Sequence, residues 1–328
     1  MTPREIILAN LNHAHPPRPG LTFGGGRIND MIGGSPGLPD GYQPKRWVEG
    51  DREFYDDPWG NLWVRMVDGS IKGEVRTPVL QDWSALERLQ APHYDIDQAA
   101  ERIRAGFARD TEDRFKLAHI GGWIFDNARY LRRMEVYFAD LALYPDEVRR
   151  MHSVVAQLYE TLIQAAAKAG ADGIMIGEDM GTQQGLLFSP KMFRFYFKEE
   201  YTRLLAIAHE YGMKVLMHSC GLNWAILDDL IDCGVDVFQF DQPALYDMPA
   251  LAAKFRERRV VLWSPVDIQQ VLPTGDRAYI ESEARRMCQL FQGFLITKNY
   301  GDLKGIGVQE EWDMWAYEAI CRFAGLRP

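Results

Sequence analysis

Two potential metal ligands follow the apolar residues 215–217, and a single residue separates them. The imidazole of His218 and the thiol of Cys220 occupy alternate positions. At the end of a β-strand both side chains would therefore point to the same side. Histidine nitrogen and cysteine sulfur are both common zinc ligands. A buried cysteine beside a hydrogen-bonded histidine would give the same pair, so the pair alone leaves both interpretations open.

The composition is that of an ordinary globular protein and excludes some functions. The 328 residues are 47% hydrophobic and 25% charged, and the formal net charge is −9. Nucleic-acid binding needs a concentrated basic face, so no nucleic-acid partner is expected. The sequence has neither a long apolar run nor a signal-peptide core, so no membrane contact is expected. Four scattered cysteines favour a reduced, cytoplasmic protein.

Short apolar segments alternate with amphipathic helical segments over most of the chain, which predicts a parallel sheet built of β/α units. The clearest predicted strands are 115–120, 172–176, 214–217, 235–240, 259–263 and 293–297. A first strand at 21–23 and a poorly marked one within 29–63 bring the number to about eight. The sequence contains no dinucleotide-binding motif, which would have indicated an open sheet. The predicted fold is therefore an α/β (β/α)8 TIM barrel.

Residues 29–80 interrupt this alternation. The segment is irregular and rich in Gly, Pro, Asp and Trp. A turn leading into a strand near residues 61–65 and a second strand at 73–79 predict a hairpin packed against the barrel. We therefore predict one domain over residues 1–328, with 29–80 as an N-terminal insertion that contains a hairpin.

In a (β/α)8 barrel the catalytic residues lie at the C-terminal ends of the strands. Polar and charged side chains follow several predicted strands, which places them at one mouth of the barrel. They are Glu178, Asp179, His218, Cys220, Asp241, Gln242, Asp267, Lys298 and Tyr300. A catalytic zinc takes three protein ligands, and His218, Cys220 and Asp241 supply such a set. Glu178 is a further candidate ligand, and helix capping or solvation remains an alternative for Glu178 and Asp179. Asp267 is predicted to be a helix N-cap.

Other residues are candidates for contacting a substrate. Lys298 offers a positive charge for an anionic group, with simple solvation as the alternative. Arg27 follows three glycines of a predicted loop, and Gln242 follows a strand. Trp123 is a candidate for the wall of an aromatic pocket, with core packing as the alternative. His119 lies within an apolar segment and is predicted to be a core histidine.

The chain resembles the uroporphyrinogen decarboxylase superfamily from about residue 56 onwards. The matching motifs are Asp57-Pro58-Trp59-Gly60, Gly121-Gly122-Trp123, Gly177-Glu178-Asp179-Met180-Gly181 and His218-Ser219-Cys220-Gly221. The last of these is the most specific. The resemblance implies a (β/α)8 barrel independently of the strand and helix pattern.

The superfamily has two branches with different chemistry. The decarboxylases hold an acidic tetrapyrrole with arginines of an Arg-Gln-Ala-Gly-Arg-like motif, where this chain has Gly24-Gly25-Gly26-Arg27. The chain is more similar to the corrinoid-linked methyltransferases, in which His-x-Cys and a later Cys bind zinc near a carboxylate. The resemblance implies zinc on His218, Cys220 and Asp241. The later Cys should fall near residues 299–300, and this sequence has none there.

The expected function is zinc-assisted methyl transfer or demethylation between a small-molecule substrate and a corrinoid carried by a partner protein. The expected catalytic residues are Glu178, Asp179 and Tyr300, and the expected substrate-binding residues are Arg27, Trp123, Gln242 and Lys298. One alternative is a metal-free decarboxylase or lyase that acts on a small acidic, tetrapyrrole-like substrate. Another is a barrel that binds a ligand without turnover. A homodimer is compatible with the sequence.

Overall fold

A computed structural model describes residues 1–68 and 73–327. The strands are β1 (Gly20–Thr22), β2 (Met31–Gly34), β3 (Arg46–Glu49), β4 (Arg52–Asp56), β5 (Leu62–Met66), β6 (Glu74–Thr77), β7 (Phe115–Gly121), β8 (Gly173–Gly177), β9 (Lys214–His218), β10 (Val237–Gln239), β11 (Val261–Ser264) and β12 (Leu295–Lys298). The α-helices are α1 (Pro3–Leu11), α2 (Ile96–Phe107), α3 (Ile124–Arg132), α4 (Met134–Leu143), α5 (Pro145–Ala169), α6 (Pro190–Tyr196), α7 (Lys198–Glu210), α8 (Leu227–Cys233), α9 (Met248–Arg258), α10 (Arg277–Leu290) and α11 (Glu310–Phe323). Short 3-10 helices lie at Trp83–Arg88, Trp224–Ile226, Pro243–Leu245, Leu272–Thr274 and Lys304–Ile306.

Eight parallel strands form a nearly closed barrel, which confirms the predicted (β/α)8 fold. Their order around the sheet is β1-β12-β11-β10-β9-β8-β7-β2. Gly177 pairs with His218, and His218 pairs with Gln239. Paired residues of neighbouring strands point to the same face of the sheet. His218 and Gln239 therefore project to the same side at the strand ends.

The barrel closes where β1 approaches β2, and one buried aspartate organises this seam. The Asp30 backbone N–H donates to the Leu21 carbonyl at 2.6 Å. The Asp30 carboxylate accepts from the Leu21 N–H at 2.8 Å and from the Arg18 guanidinium at 2.6 Å. Asp30 is buried. These donors therefore replace the hydrogen bonds that water would make to its negative charge.

Helix α5 illustrates how the sequence specifies the outer layer. Pro145 occupies the first turn, where the missing N–H costs nothing, and Gly170 ends the helix with φ +78°. Its buried face includes Val148, Met151 and Val155. This spacing of three and four residues places the apolar side chains on one stripe against the barrel.

The insertion contains more structure than the predicted hairpin. Four antiparallel strands form a separate sheet in the order β3-β4-β5-β6. The two predicted strands correspond to β5 and β6, whereas β3 and β4 are additional. Both are short and rich in charged residues, so they lack the apolar alternation that signals a strand. Within the predicted insertion 29–80, residues 69–72 lie outside the described residues, and the single-domain interpretation stays a prediction.

None of the helices in the described part of the chain combines the length and apolarity that crossing a bilayer requires. The cytoplasmic location stays a prediction.

Candidate metal centre

The loops that follow β8 and β9 pack directly on each other at the barrel mouth. Gly221 has φ +78°, and a Cβ at this position would overlap the backbone of Gly181. Only glycine combines this conformation with such a close approach. The contact brings the segment after β8 beside Cys220, whose backbone N–H donates to Asp179 Oδ1 at 3.0 Å.

Three ligand atoms of different chemical types meet at this contact. Asp179, His218 and Cys220 each offer one ligand atom, and these atoms lie within 4.8 Å of one another. His218 Nε2 is 3.4 Å from Asp179 Oδ1 and 3.4 Å from Cys220 Sγ. Ligands at normal zinc bond lengths in a tetrahedral arrangement are about 3.3–3.6 Å apart. The three atom types, and the two separations from His218 Nε2, therefore fit a zinc ion.

A glutamine fixes the orientation of the His218 ring. His218 Nδ1 is 2.6 Å from Gln239 Oε1, while Gln239 Nε2 donates to Asp241 Oδ1 at 2.7 Å. Because Oε1 can only accept, Nδ1 must carry a proton. In the neutral ring the lone pair is then on Nε2, on the side of Asp179 and Cys220. Ligand histidines commonly have such a partner on the second nitrogen.

The charges at the centre support one another. Burial favours neutral Asp179, but the hydrogen bond and positive charge of His218 and the Cys220 N–H outweigh it, so the pKa of Asp179 is lowered. Burial likewise opposes a charged His218. Contacts with Asp179 and Cys220, and the charge of Asp241, nevertheless raise the pKa of His218 well above its ordinary value.

Glu178 precedes Asp179 but faces the opposite way, into the core. It is fully buried, and its carboxylate accepts from the backbone N–H groups of Phe125 at 2.8 Å and Asp126 at 2.9 Å. The Tyr201 hydroxyl donates a third bond at 2.5 Å. Helix α3 has no cap from its own N-cap side chain, so Glu178 caps it from another strand. Burial and the nearby Asp126 raise the pKa of Glu178 well above its ordinary value.

Asp241 lies on the other edge of the His218 ring. Its Oδ2 is 4.0 Å from His218 Nδ1, and its Oδ1 accepts from Lys298 Nζ at 3.2 Å. Among the described residues, the group of three close ligand atoms contains Asp179, which the sequence predicted as catalytic, and not Asp241. The role of Asp241 as a ligand stays a prediction. Its observed contacts hold Gln239, and through it His218.

Two of the four predicted substrate-binding residues, Gln242 and Arg27, line cavities. Gln242 accepts from the Gly221 N–H at 3.2 Å and, with Cys220, lines a cavity of about 550 Å³. Arg27 and Tyr300 line a second cavity of about 440 Å³. Burial, with the charges of Asp241 and Cys220, raises the pKa of Tyr300.

Arg27 and Trp123 both make structural contacts. The Arg27 guanidinium pairs with Asp313 at 2.6 Å and lies over the rings of Phe23 and Tyr317. Trp123 is fully buried, with its ring centroid 4.5 Å from that of Tyr159. It belongs to the core in this structure, and a contact with substrate stays a prediction for both residues.

The sequence interpretation missed Gln239 and misplaced His119. Gln239 was detectable, because it is a polar residue inside an otherwise apolar strand at a position that alternates with Val237. His119 was predicted to be a core histidine, and this is wrong, since its side chain is exposed. Neighbouring Gly33 has no side chain to cover it, and His119 Nε2 would lie 3.1 Å from a Cβ at that position.

The sequence profile of the uroporphyrinogen decarboxylase (URO-D) family matches residues 61–301. The chain belongs to this family. No curated protein sequence matches it.

One solved structure shows the same fold, and others are more distantly similar. A methyltransferase from Methanosarcina mazei has a TM-score of 0.63 and 18% identity, with 81% of this chain and 76% of that chain covered. D-psicose 3-epimerase in the presence of D-fructose gives a TM-score of 0.42 at 12% identity over 74% of this chain and 86% of its own. The IOLI protein with a bound zinc atom gives 0.41 at 11% identity over 71% and 82%. The last two similarities are too weak to carry an argument.

Proposed function

We propose that this protein is a zinc-dependent methyltransferase or demethylase that moves a methyl group between a small-molecule substrate and a corrinoid on a partner protein. The observation that carries the proposal is the meeting of Asp179, His218 and Cys220 at the barrel mouth. Family membership and the shared fold of the M. mazei methyltransferase support it. We place the protein in the cytoplasm because its four cysteines are all free.

The residues divide into those that hold the metal and those that prepare them. Asp179, His218 and Cys220 would bind Zn²⁺, with Asp179 anchored by the Cys220 N–H. Bound Zn²⁺ supplies Lewis acidity that lowers the pKa of a substrate thiol or polarises a substrate oxygen. Gln239 keeps the Nδ1 proton of His218 in place and so leaves Nε2 available.

The cavity walls indicate where the substrate would lie. The cavity beside Cys220 is bounded by Gln242 and by the loop at residues 181–184. Lys298 Nζ lies near Asp241 and would attract an anionic group of the substrate. Tyr300 lines the second cavity and would position the substrate by hydrogen bonding.

The second candidate is a metal-free decarboxylase or lyase for a small acidic, tetrapyrrole-like substrate. The ion pair between His218 and Asp179 favours it, because an imidazolium held by a carboxylate can donate a proton to a carbanion. Activity that survives a strong chelator would support this candidate over the zinc enzyme.

Metal content tests the zinc proposal. Protein purified without chelator should contain close to one equivalent of zinc by mass spectrometry, and Cys220→Ala should lose it. Cys233→Ala is the matched control, since Cys233 is buried in the core away from the mouth. Wild-type protein with less than a tenth of an equivalent, or equal loss in both variants, would contradict the proposal.

Two asparagine variants separate the carboxylates. Asp179→Asn should lower zinc affinity more than Asp241→Asn, because only Asp179 adjoins both Nε2 and Sγ. The reverse order would restore Asp241 as the ligand. Methyl transfer itself is tested by incubating the zinc-loaded protein with methylcobalamin and small thiols, and following the cobalt absorbance. No spectral change with any thiol would count against the thiol form of the reaction.

A further inference from the structure

Within the described residues, the antiparallel sheet of the insertion ends in a strand that no other strand covers. β3 is at the edge of the order β3-β4-β5-β6, and all four of its residues are exposed. They include Trp47, with 40% of its surface exposed, and Val48, with 59%. An open edge carrying large apolar side chains can pair with another strand.

The pairing with β4 determines which backbone groups face outward. Glu49 pairs with Arg52 across the turn at residues 50–51, and Asp56 N–H donates to the Lys45 carbonyl at 3.1 Å. Alternate residues of an antiparallel strand bond to the same neighbour. Lys45, Trp47 and Glu49 thus bond toward β4. The N–H and C=O groups of Arg46 and Val48 point away from the sheet.

We propose that β3 pairs antiparallel with β3 of a second copy of this chain, with Trp47 next to the twofold axis. In this register the outward groups of Arg46 bond to those of Val48 in the other copy. Lys45 then lies opposite Glu49 twice, once on each side of the axis. This inference is independent of the proposed reaction.

Charge complementarity selects this register. Only pairings that match outward groups with outward groups form a ladder. If the register shifts by one step toward the N-terminus, Arg46 of one chain lies opposite Arg46 of the other. Like charges directly opposite each other are destabilising. Moving one step toward the C-terminus places Arg46 opposite the turn residue Gly50, where the strand has ended. The proposed register alone combines two opposite-charge pairs with a central Trp47–Trp47 contact.

Contacts within each chain already order the Trp47 side chain. Trp47 stacks on Phe54 with ring centroids 5.5 Å apart, and its Nε1–H donates to Glu49 Oε1 at 2.9 Å. Both interactions hold the indole on the face that carries Lys45 and Glu49. A second copy would therefore meet an ordered side chain, which reduces the entropy lost on association.

Sedimentation velocity across a range of concentrations tests the proposal. The wild type should dimerise reversibly, and Lys45→Glu or Glu49→Lys should weaken the dimer about tenfold or more, because each creates two like-charge pairs. The double variant with both changes should recover dimerisation. A wild type that is monomeric at every concentration would overturn the proposal, as would a dimer unaffected by either reversal.

Two further variants test the backbone pairing and the register. Val48→Pro removes only an outward N–H, so it should abolish the dimer while the circular dichroism spectrum and melting temperature stay close to those of the wild type. Val48→Thr is the control and should still dimerise. Under mild oxidation Trp47→Cys should form a disulfide-linked dimer more readily than Val48→Cys, and the opposite preference would refute the register.

Discussion

Glu178 and Asp179 are consecutive residues at the end of β8, but their side chains lie in different environments. We call the buried environment of Glu178 the dry side and the environment of Asp179 the metal side. The dry side contains Glu178, Phe125, Tyr201, Tyr137 and His152, all buried. The metal side contains Asp179, His218 and Cys220 together with Gln239 and Asp241. On the dry side every donor near Glu178 comes from a helix end or a core tyrosine. On the metal side each group ends at an atom that can bind a cation.

This contrast shows that a carboxylate's role depends on its partners rather than on its place after a strand. Backbone N–H groups around Glu178 are permanent, so that side chain serves stability. Asp179 has a histidine and a cysteine beside it, both of which can exchange a proton for a metal. Substitutions on the Glu178 side should therefore affect mainly stability, and substitutions on the Asp179 side mainly metal binding.

Glu178→Ala should give the largest effect on stability. It leaves two buried N–H groups and a tyrosine hydroxyl without their acceptor, which should cost about 3–5 kcal/mol of the free energy of unfolding. Asp179→Asn is the control and should cost less, because Asp179 is only partly buried and the asparagine Oδ1 can still accept from the Cys220 N–H. Urea denaturation of both variants provides the measurement. Equal losses of unfolding free energy in the two variants would show that Glu178 is no more important for stability than Asp179.

The dry side should also impose a pH dependence through His152. Burial lowers the pKa of His152 to about 4, and its Nε2 is 2.8 Å from the Tyr137 hydroxyl. Between the unfolded pKa near 6.5 and the folded value, the unfolded chain binds more protons. Stability should therefore fall by about 3 kcal/mol as the pH drops from about 6.5 to about 4.

The variant His152→Gln isolates this contribution. Its stability should change less over the same pH range, because glutamine does not titrate, and the difference from the wild type should shrink as the pH falls. Urea midpoints at several pH values provide the measurement. Parallel pH profiles for both proteins would show that His152 does not contribute.

Gln239→Leu should weaken zinc binding without removing a ligand. It deletes the acceptor that holds His218 Nδ1–H, and such partners typically affect metal affinity about 10- to 100-fold. Competition with a chromogenic chelator measures the affinity. The control Gln242→Leu changes a neighbouring glutamine that contacts Gly221 N–H instead, and should have a smaller effect. An unchanged affinity in Gln239→Leu would show that ring orientation is set elsewhere.

Lys298→Met should have the smallest effect of this set. The ion pair with Asp241 is at the edge of the metal side, and Asp241 keeps its bond to Gln239. We expect a loss of about 1 kcal/mol in stability or less, and a change in zinc affinity below about tenfold. A larger loss of substrate binding than of zinc binding would assign Lys298 to the substrate.

The sequence predicts the barrel and its mouth because both depend on local patterns. Strand ends followed by His218 and Cys220 are visible from alternation alone, and the parallel sheet then brings them together. Alternation predicts opposite directions for Glu178 and Asp179, but it does not predict which of the two faces the core, because both lie beyond the end of the strand. The position of Asp179 beside His218 and Cys220 was not predictable either, because it depends on the Gly181–Gly221 contact, which joins loops from different strands.

Two strands of the insertion were also not predictable from the sequence. β3 and β4 carry so many charged residues that their strand character comes from the hairpin and not from an apolar face. Trp123 shows that residue type alone does not separate a pocket wall from core packing.

The first barrel strand hydrogen-bonds to the last, with Gly20 beside Ile296. During synthesis β1 leaves the ribosome long before its partner exists, so the barrel cannot become a closed ring until almost the whole chain has been made. Until β12 is made, the edge of β1 that pairs with it stays unpaired. The hydrogen bond from the Leu21 N–H of β1 to the Asp30 carboxylate is a contact that can already form. A chain truncated before β12 should for this reason be prone to aggregation rather than fold as a smaller barrel.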